Sequence, residues 1–181
     1  MNTAAVTDLV IGHSVQDHFT PVDIALASFV TGHAGWSEPI AAAALVAGAA
    51  ARRGHLCLDT EQPDIFDEAL PPDFIRLINE GARLIAAHPL FTPERNAALI
   101  SSGGRLYLGS FHAVEQAIAR ELTARAATPN PYYTNTRAES VAKLLTASGI
   151  RLDTEQLAAV LRSSAASLGI ISGGPGTGKT T

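Results

Sequence analysis

The sequence predicts a mixed, helix-rich α/β chain. An N-terminal α+β domain spans residues 1–126, a linker covers 127–135, and the first elements of a phosphate-loop domain fill 136–181. Three features predict this. Apolar residues fall at helical spacing behind recognisable caps, and short alternating segments interrupt those helices as strands. The last residues, Gly173-Gly174-Pro175-Gly176-Thr177-Gly178-Lys179-Thr180-Thr181, contain a complete G-x-x-x-x-G-K-T phosphate-binding loop.

The first helix is expected over Thr20–Thr31, with Val22, Leu26, Phe29 and Val30 at helical spacing, Thr20 as cap and Pro21 in the first turn. The second runs from Ser37 to Arg53. Ser37 is the N-cap, Glu38 complements the positive helix end, Arg52 and Arg53 sit at the negative end, and Gly54 follows as the C′ residue. Its alanine-rich middle invites close packing. His55-Leu56-Cys57-Leu58-Asp59 alternates and reads as a short strand. From Asp59 to Asp73 there are six acidic residues and no basic ones, the pattern of a solvated loop. Pro71-Pro72 opens a helix over Asp73–Glu80 that Gly81 closes.

Arg83–Ala87 and Ala97–Ser101 read as short strands, Ser101–Gly104 as a turn, and Arg105-Leu106-Tyr107-Leu108 as an alternating strand. A helix is expected over Phe111–Arg125. Two prolines and two asparagines in 127–135 make that stretch the linker. Thr136 with Glu139 reads as a capping box, and Ser148-Gly149 ends the helix it starts. A last helix is expected over Asp153–Leu168. The apolar run Leu168-Gly169-Ile170-Ile171-Ser172 then reads as a buried strand feeding the loop.

Composition bounds the function. With 46% hydrophobic residues the chain should fold, and a net charge of −4 argues against a broadly basic nucleic-acid surface while leaving room for a local groove. The lone cysteine, Cys57, excludes an intramolecular disulfide framework, fits a reducing cytoplasm, and reads as a buried core residue. Met1–Val10 carries Asp8 and no basic n-region, so no secretory signal is recognised. The longest apolar stretch, Ile40–Ala51, is too short to span a bilayer. A soluble, cytoplasmic protein is expected. The six histidines show no pair at metal-helix spacing. His55 reads as structural, Trp36 as core or interface, and Tyr132-Tyr133 as packing residues rather than a base-stacking pair.

The loop carries its own chemistry. Gly173 and Gly178 permit backbone angles that a Cβ forbids, so successive N–H groups can point inward as an anion nest. Gly174, Pro175, Gly176, Thr177 and Thr181 complete the cradle. Lys179 is expected to reach the β- and γ-phosphates of ATP, and the Thr180 hydroxyl to coordinate its Mg²⁺. Lys179 and Thr180 are the catalytic candidates. Gln156 lies 17 residues before Gly173 on the helix that feeds the loop. Its amide both donates and accepts, which suits the adenine edge. Asp153-x-x-Gln156 equally fits a capping box; beside the loop, adenine recognition is the expected role.

Leu152-Asp153-Thr154-Glu155-Gln156-Leu157-Ala158-Ala159-Val160 followed by Ile170–Thr181 resembles the start of a superfamily-one DNA helicase motor. Gly54–Asp59 and Gly104–Leu108, with Val114–Ala119 after them, resemble landmarks of the alpha subunit of exodeoxyribonuclease V, the RecD helicase subunit. Ser110-Phe111-His112 departs from that pattern, and the first 35 residues carry no landmark of it. The resemblance implies an N-terminal domain that docks on partner subunits, then a RecA-like motor. It further implies a 5′-to-3′ ATP-dependent DNA helicase assembled with a beta subunit, which holds the nuclease, and a gamma subunit. Such a complex unwinds and degrades DNA from double-strand ends for recombinational repair. The acidic Mg²⁺ partner and arginine fingers would come from elsewhere. Because the sequence stops directly after the loop motif, at the start of the helix that normally follows it, it is expected to be a piece of a longer frame; without that helix and the neighbouring strands it is expected to bind ATP weakly or not at all and not to hydrolyse it. Two alternatives stay open: another phosphate-loop ATPase of clamp-loader or transport type, and an interaction module without catalysis.

Overall fold

A computed structural model describes residues 2–59, 69–95, 97–130, 135–149 and 152–174. The chain divides into two compact units, Met1–Glu115 and Gln116–Thr181. The described part of the 127–135 stretch belongs to the second. The architecture is helix-rich with one small sheet, as the composition and spacing predict.

The first unit opens with a helix that the sequence did not announce, α1 (Thr3–Gly12). Asn2 gives it no side-chain cap bond, which removes the usual start signal. Val6, Leu9 and Val10 hold it, at the three- and four-residue spacing that lines one helical face. α2 (Pro21–Ala34) starts at Thr20 as expected and runs to the turn made by Gly35, whose φ is +90°.

The start of α2 is built on Asp23, which is 1% exposed. Its Oδ2 accepts from Thr20 N–H at 2.7 Å, from Thr20 Oγ1 at 2.8 Å and from Arg52 Nη2 at 2.9 Å. Three donors offset the cost of burying a carboxylate. Arg52 comes from the end of α3 (Glu38–Arg52), so one ion pair ties the two helices at this corner.

α3 is the centre of the unit. Every residue from Ile40 to Ala50 is buried, and α1, α2, α4 and two strands pack around it. Alanine makes this possible, because short side chains let neighbours approach from all sides. The closest approach is on α4 (Pro72–Ala87). A Cβ built on Gly81 would lie 1.9 Å from the Pro39 carbonyl oxygen. Gly81 therefore does not end a helix, and Arg83–Ala87 is not a strand: α4 continues to Ala87. The glycine that reads locally as a stop is a contact point. Phe74, Ile78, Ala82 and Ile85 line the same buried face.

The sheet has three antiparallel strands in the order β1-β3-β2. They are β1 (Leu58–Asp59), β2 (Leu99–Ser102) and β3 (Arg105–Leu108). Gly103 and Gly104, with φ of +57° and +75°, make the two-residue turn of the β2–β3 hairpin. The first strand is shorter than His55–Asp59; His55 is exposed and Cys57 half-buried, so neither joins the core. Trp36 is 43% exposed and is not a core residue. Most of the acidic Asp59–Asp73 stretch lies outside the described residues.

α5 (Gly109–Ala127) runs from the first unit into the second. In the second unit, α6 (Asn135–Ala147) begins one residue before Thr136, whose side chain lies outside the described residues, as do Tyr132 and Tyr133. α7 (Thr154–Ala165) stops short of Leu168. Leu168–Ser172 is not a strand: it pairs with none of the described residues, and a parallel strand exists only through ladder bonds to neighbours.

Candidate nucleotide site

α7 leads into the phosphate loop, and its geometry is set at both ends. At its start Asp153 and Gln156 form a capping box. Gln156 N–H donates to Asp153 Oδ1 at 2.8 Å, and Asp153 N–H donates to Gln156 Oε1 at 3.0 Å. The carboxamide expected to read adenine is here bonded to the start of its own helix.

At the other end, the chain before residue 131 clasps the end of α7. Asn130 N–H donates to the Ala165 carbonyl at 3.1 Å, and Asn130 Nδ2 to the Ser164 carbonyl at 2.9 Å. Ser167 N–H returns a bond to the Thr128 carbonyl at 3.2 Å, and Pro129 bridges Ala166. These bonds satisfy carbonyls that a helix end leaves without intrahelical partners. The asparagines and prolines of this stretch predict only irregular backbone, so the clasp was not legible in the sequence. Its one signal is an Asn side chain, which can donate where Pro cannot.

Beyond the clasp the chain turns back along α7. A Cβ on Gly169 would lie 2.8 Å from Ser163 Cβ, so glycine allows this close return. A cavity of about 320 Å³ lies between the two, lined by Ala159, Arg162, Ser163 and residues 168–172. Ile170 and Ile171 are exposed. Gly173 and Gly174 follow, also exposed. Pro175, Gly176, Thr177, Gly178, Lys179, Thr180 and Thr181 lie outside the described residues. The structure thus places Gln156, Gly173 and Gly174 on one helix and the segment that returns along it. Among the described residues no group of three or more His, Cys, Asp or Glu side chains could hold a metal ion.

In the first unit, the two segments resembling family landmarks are neighbours in space. Leu58 pairs with Leu106, and Asp59 with Arg105. Tyr107 is buried against His112, ring centroids 5.1 Å apart and edge to face. Burial pushes the Tyr107 phenol above its ordinary range, and the hydrogen bond with Tyr107 raises the Arg105 guanidinium in turn. Elsewhere in the unit, His13 Nδ1 lies 2.7 Å from Asp73 Oδ2, joining the end of α1 to the start of α4. That hydrogen bond is the largest cause of a lowered Asp73 carboxyl.

A helical domain built round a buried alanine helix, backed by a three-stranded antiparallel sheet, and followed in sequence by a phosphate-loop motif defines the class. The residues from 15 to 107, from the approach to α2 through almost all of β3, match the model of the N-terminal domain of RecD, a subunit of the RecBCD enzyme. The chain belongs to that family. No curated protein matches the chain. α1 and everything from α5 onward lie outside the matched residues. No described helix is long and apolar enough to cross a membrane.

Proposed function

We propose that this chain is the N-terminal part of an ATP-dependent 5′-to-3′ DNA helicase subunit of exodeoxyribonuclease V type. It works in the cytoplasm with a beta and a gamma subunit, on duplex ends and single strands, in repair of double-strand breaks by recombination. The observation that carries this is one of order: a RecD N-terminal domain over 15–107, then a phosphate loop at Gly173–Thr181. In this reading the backbone of Gly173–Gly178 cradles the phosphates of ATP. Lys179 neutralises charge developing on the transferred phosphoryl group, and Thr180 holds Mg²⁺. Gln156 reads the adenine edge. The test is unwinding by the full-length protein on duplexes carrying a single-stranded 5′ or 3′ tail. ATP-dependent unwinding only from the 5′ tail supports the proposal. Unwinding from the 3′ tail, or none with either tail, rejects it.

A second role, docking, has an observation of its own. Val22 and Phe29 stand exposed on α2, one heptad apart and so on one face of the helix. Large apolar side chains left in water on one side of a domain mark an interaction surface. If they dock a partner subunit, Phe29→Asp should weaken co-purification with the beta and gamma subunits without any nucleotide requirement. Unchanged recovery would reject docking through this face.

A further inference from the structure

The segment that leaves α5 also closes α7. Thr128 N–H donates to the Arg125 carbonyl at 3.1 Å and Thr128 Oγ1 to the Ala124 carbonyl at 2.8 Å, so that segment is held from its first residue. Pro129 fixes its own φ, and a proline at 131 biases Asn130 toward extended backbone. From there Asn130 N–H and Nδ2 donate to the carbonyls of Ala165 and Ser164, two of the last four that α7 leaves without intrahelical donors. Two side-chain bonds join the segments. The one from Nδ2 is 2.9 Å long, and the one from Ser167 Oγ to the Pro129 carbonyl is 3.4 Å. Ala166 is extended, with φ −112° and ψ 155°, and Gly169 then returns against Ser163. The path from α7 to Gly173 thus starts at a point that the Asn130 side chain holds.

We propose that Asn130 is a positioning residue for ATP. Its bond to the Ser164 carbonyl sets where the chain enters the phosphate loop. This rests on the reading of Gly173–Thr181 as the ATP cradle given above. A nest of N–H groups binds phosphate best when its entry is already in place, because ordering it on binding weakens affinity. Releasing the end of α7 lowers the fraction of molecules ready for ATP, and the apparent affinity falls with that fraction. Asn130 touches neither ATP nor the reacting atoms, so kcat is held and KM moves.

The experiment is steady-state, DNA-stimulated ATP hydrolysis by the full-length protein, with thermal melts of the same variants. Asn130→Ala deletes the Nδ2 donor and is expected to raise KM for ATP about fivefold with kcat held. Asn130→Asp keeps the shape but sets an acceptor against the Ser164 carbonyl, and raises KM at least as far. Rescue comes from a crosslink. Pro129 and Ala166 face each other as an antiparallel pair between the bonds of Asn130 and Ser167. Such a pair has Cα atoms about 4.5 Å apart, within reach of a disulfide. Pro129→Cys with Ala166→Cys, in a chain carrying Asn130→Ala and Cys57→Ser, should return KM to the wild-type value when oxidised and lose that gain on reduction. Should the single variants fail to fold, both are made in the crosslinked chain and compared before and after reduction. An unchanged KM overturns the proposal, with or without a lower melting temperature. So does a fall in kcat at constant KM, or a raised KM that the oxidised crosslink leaves raised. Wild-type hydrolysis by Lys179→Ala would instead overturn the nucleotide reading beneath it.

Discussion

Replacing Gly81 by alanine sets two physical effects against each other with opposite signs. In an exposed helix interior, Gly→Ala stabilises by about 1 kcal/mol, because alanine loses less backbone freedom on folding. Gly81 lies inside α4 but against α3, where the new methyl would sit 1.9 Å from the Pro39 carbonyl oxygen and 2.9 Å from Ala43 Cβ. Ordinary contact begins near 3.4 Å, so the two helices must separate by about 1.5 Å at this point. The obstacle is backbone, which cannot rotate away. Separation also loosens the packing of Phe74, Ile78, Ala82 and Ile85 against α3. Overpacking of this kind costs about 1–3 kcal/mol and sometimes more, and backbone contact places Gly81→Ala at the upper end. A net loss of about 3 kcal/mol lowers the melting temperature by roughly 10 °C or more in a domain of this size. Urea and thermal melts followed by the fluorescence of the single tryptophan, Trp36, report on this unit. Gly32→Ala supplies the control. Gly32 is exposed in α2 with nothing within 4 Å of a built Cβ, and should stabilise by about 0.5–1 kcal/mol. If Gly81→Ala proves neutral or stabilising, the close approach of α4 to α3 is wrong.

Two further outcomes follow from the charged groups. Arg52→Ala removes one of three donors from the buried Asp23 carboxylate and should cost about 1–3 kcal/mol in urea unfolding; an unchanged midpoint would contradict the ion pair. Asp73 is held below its ordinary value of 3.8, first by the hydrogen bond from His13. A carboxylate lowered in the folded state stabilises it fully above the unfolded value and loses that contribution as pH falls through the folded value. His13→Ala should therefore flatten the acid limb of the stability curve below about pH 4. An unchanged limb would show that the His13–Asp73 bond does not form in solution.

Local chemistry made much of the fold legible. Thr20 and Ser37 announce α2 and α3 because a cap is decided within a few residues, and Gly103-Gly104 announces a hairpin because its angles suit glycine. Where the deciding partner is distant, the sequence misleads. Gly81 reads as a stop because the Pro39 carbonyl it accommodates is far away in the chain. Leu168–Ser172 reads as a strand because its composition suits one, yet pairing needs neighbours that composition cannot supply. α1 escaped notice because it lacks a cap, although Val6, Leu9 and Val10 already carry its periodicity. At the candidate site, Asp153-x-x-Gln156 was legible as a cap, and the reciprocal bonds are there. The clasp by Asn130 was not, since an asparagine beside prolines says nothing about which carbonyl it will find.

The most direct test is Lys179→Ala in the full-length protein, with DNA-stimulated ATP hydrolysis and recovery of the beta and gamma subunits measured on the same preparation. A phosphate-loop lysine in a helicase motor predicts that hydrolysis falls to background while partner recovery stays at the wild-type level. Wild-type hydrolysis by the Lys179→Ala protein would contradict it.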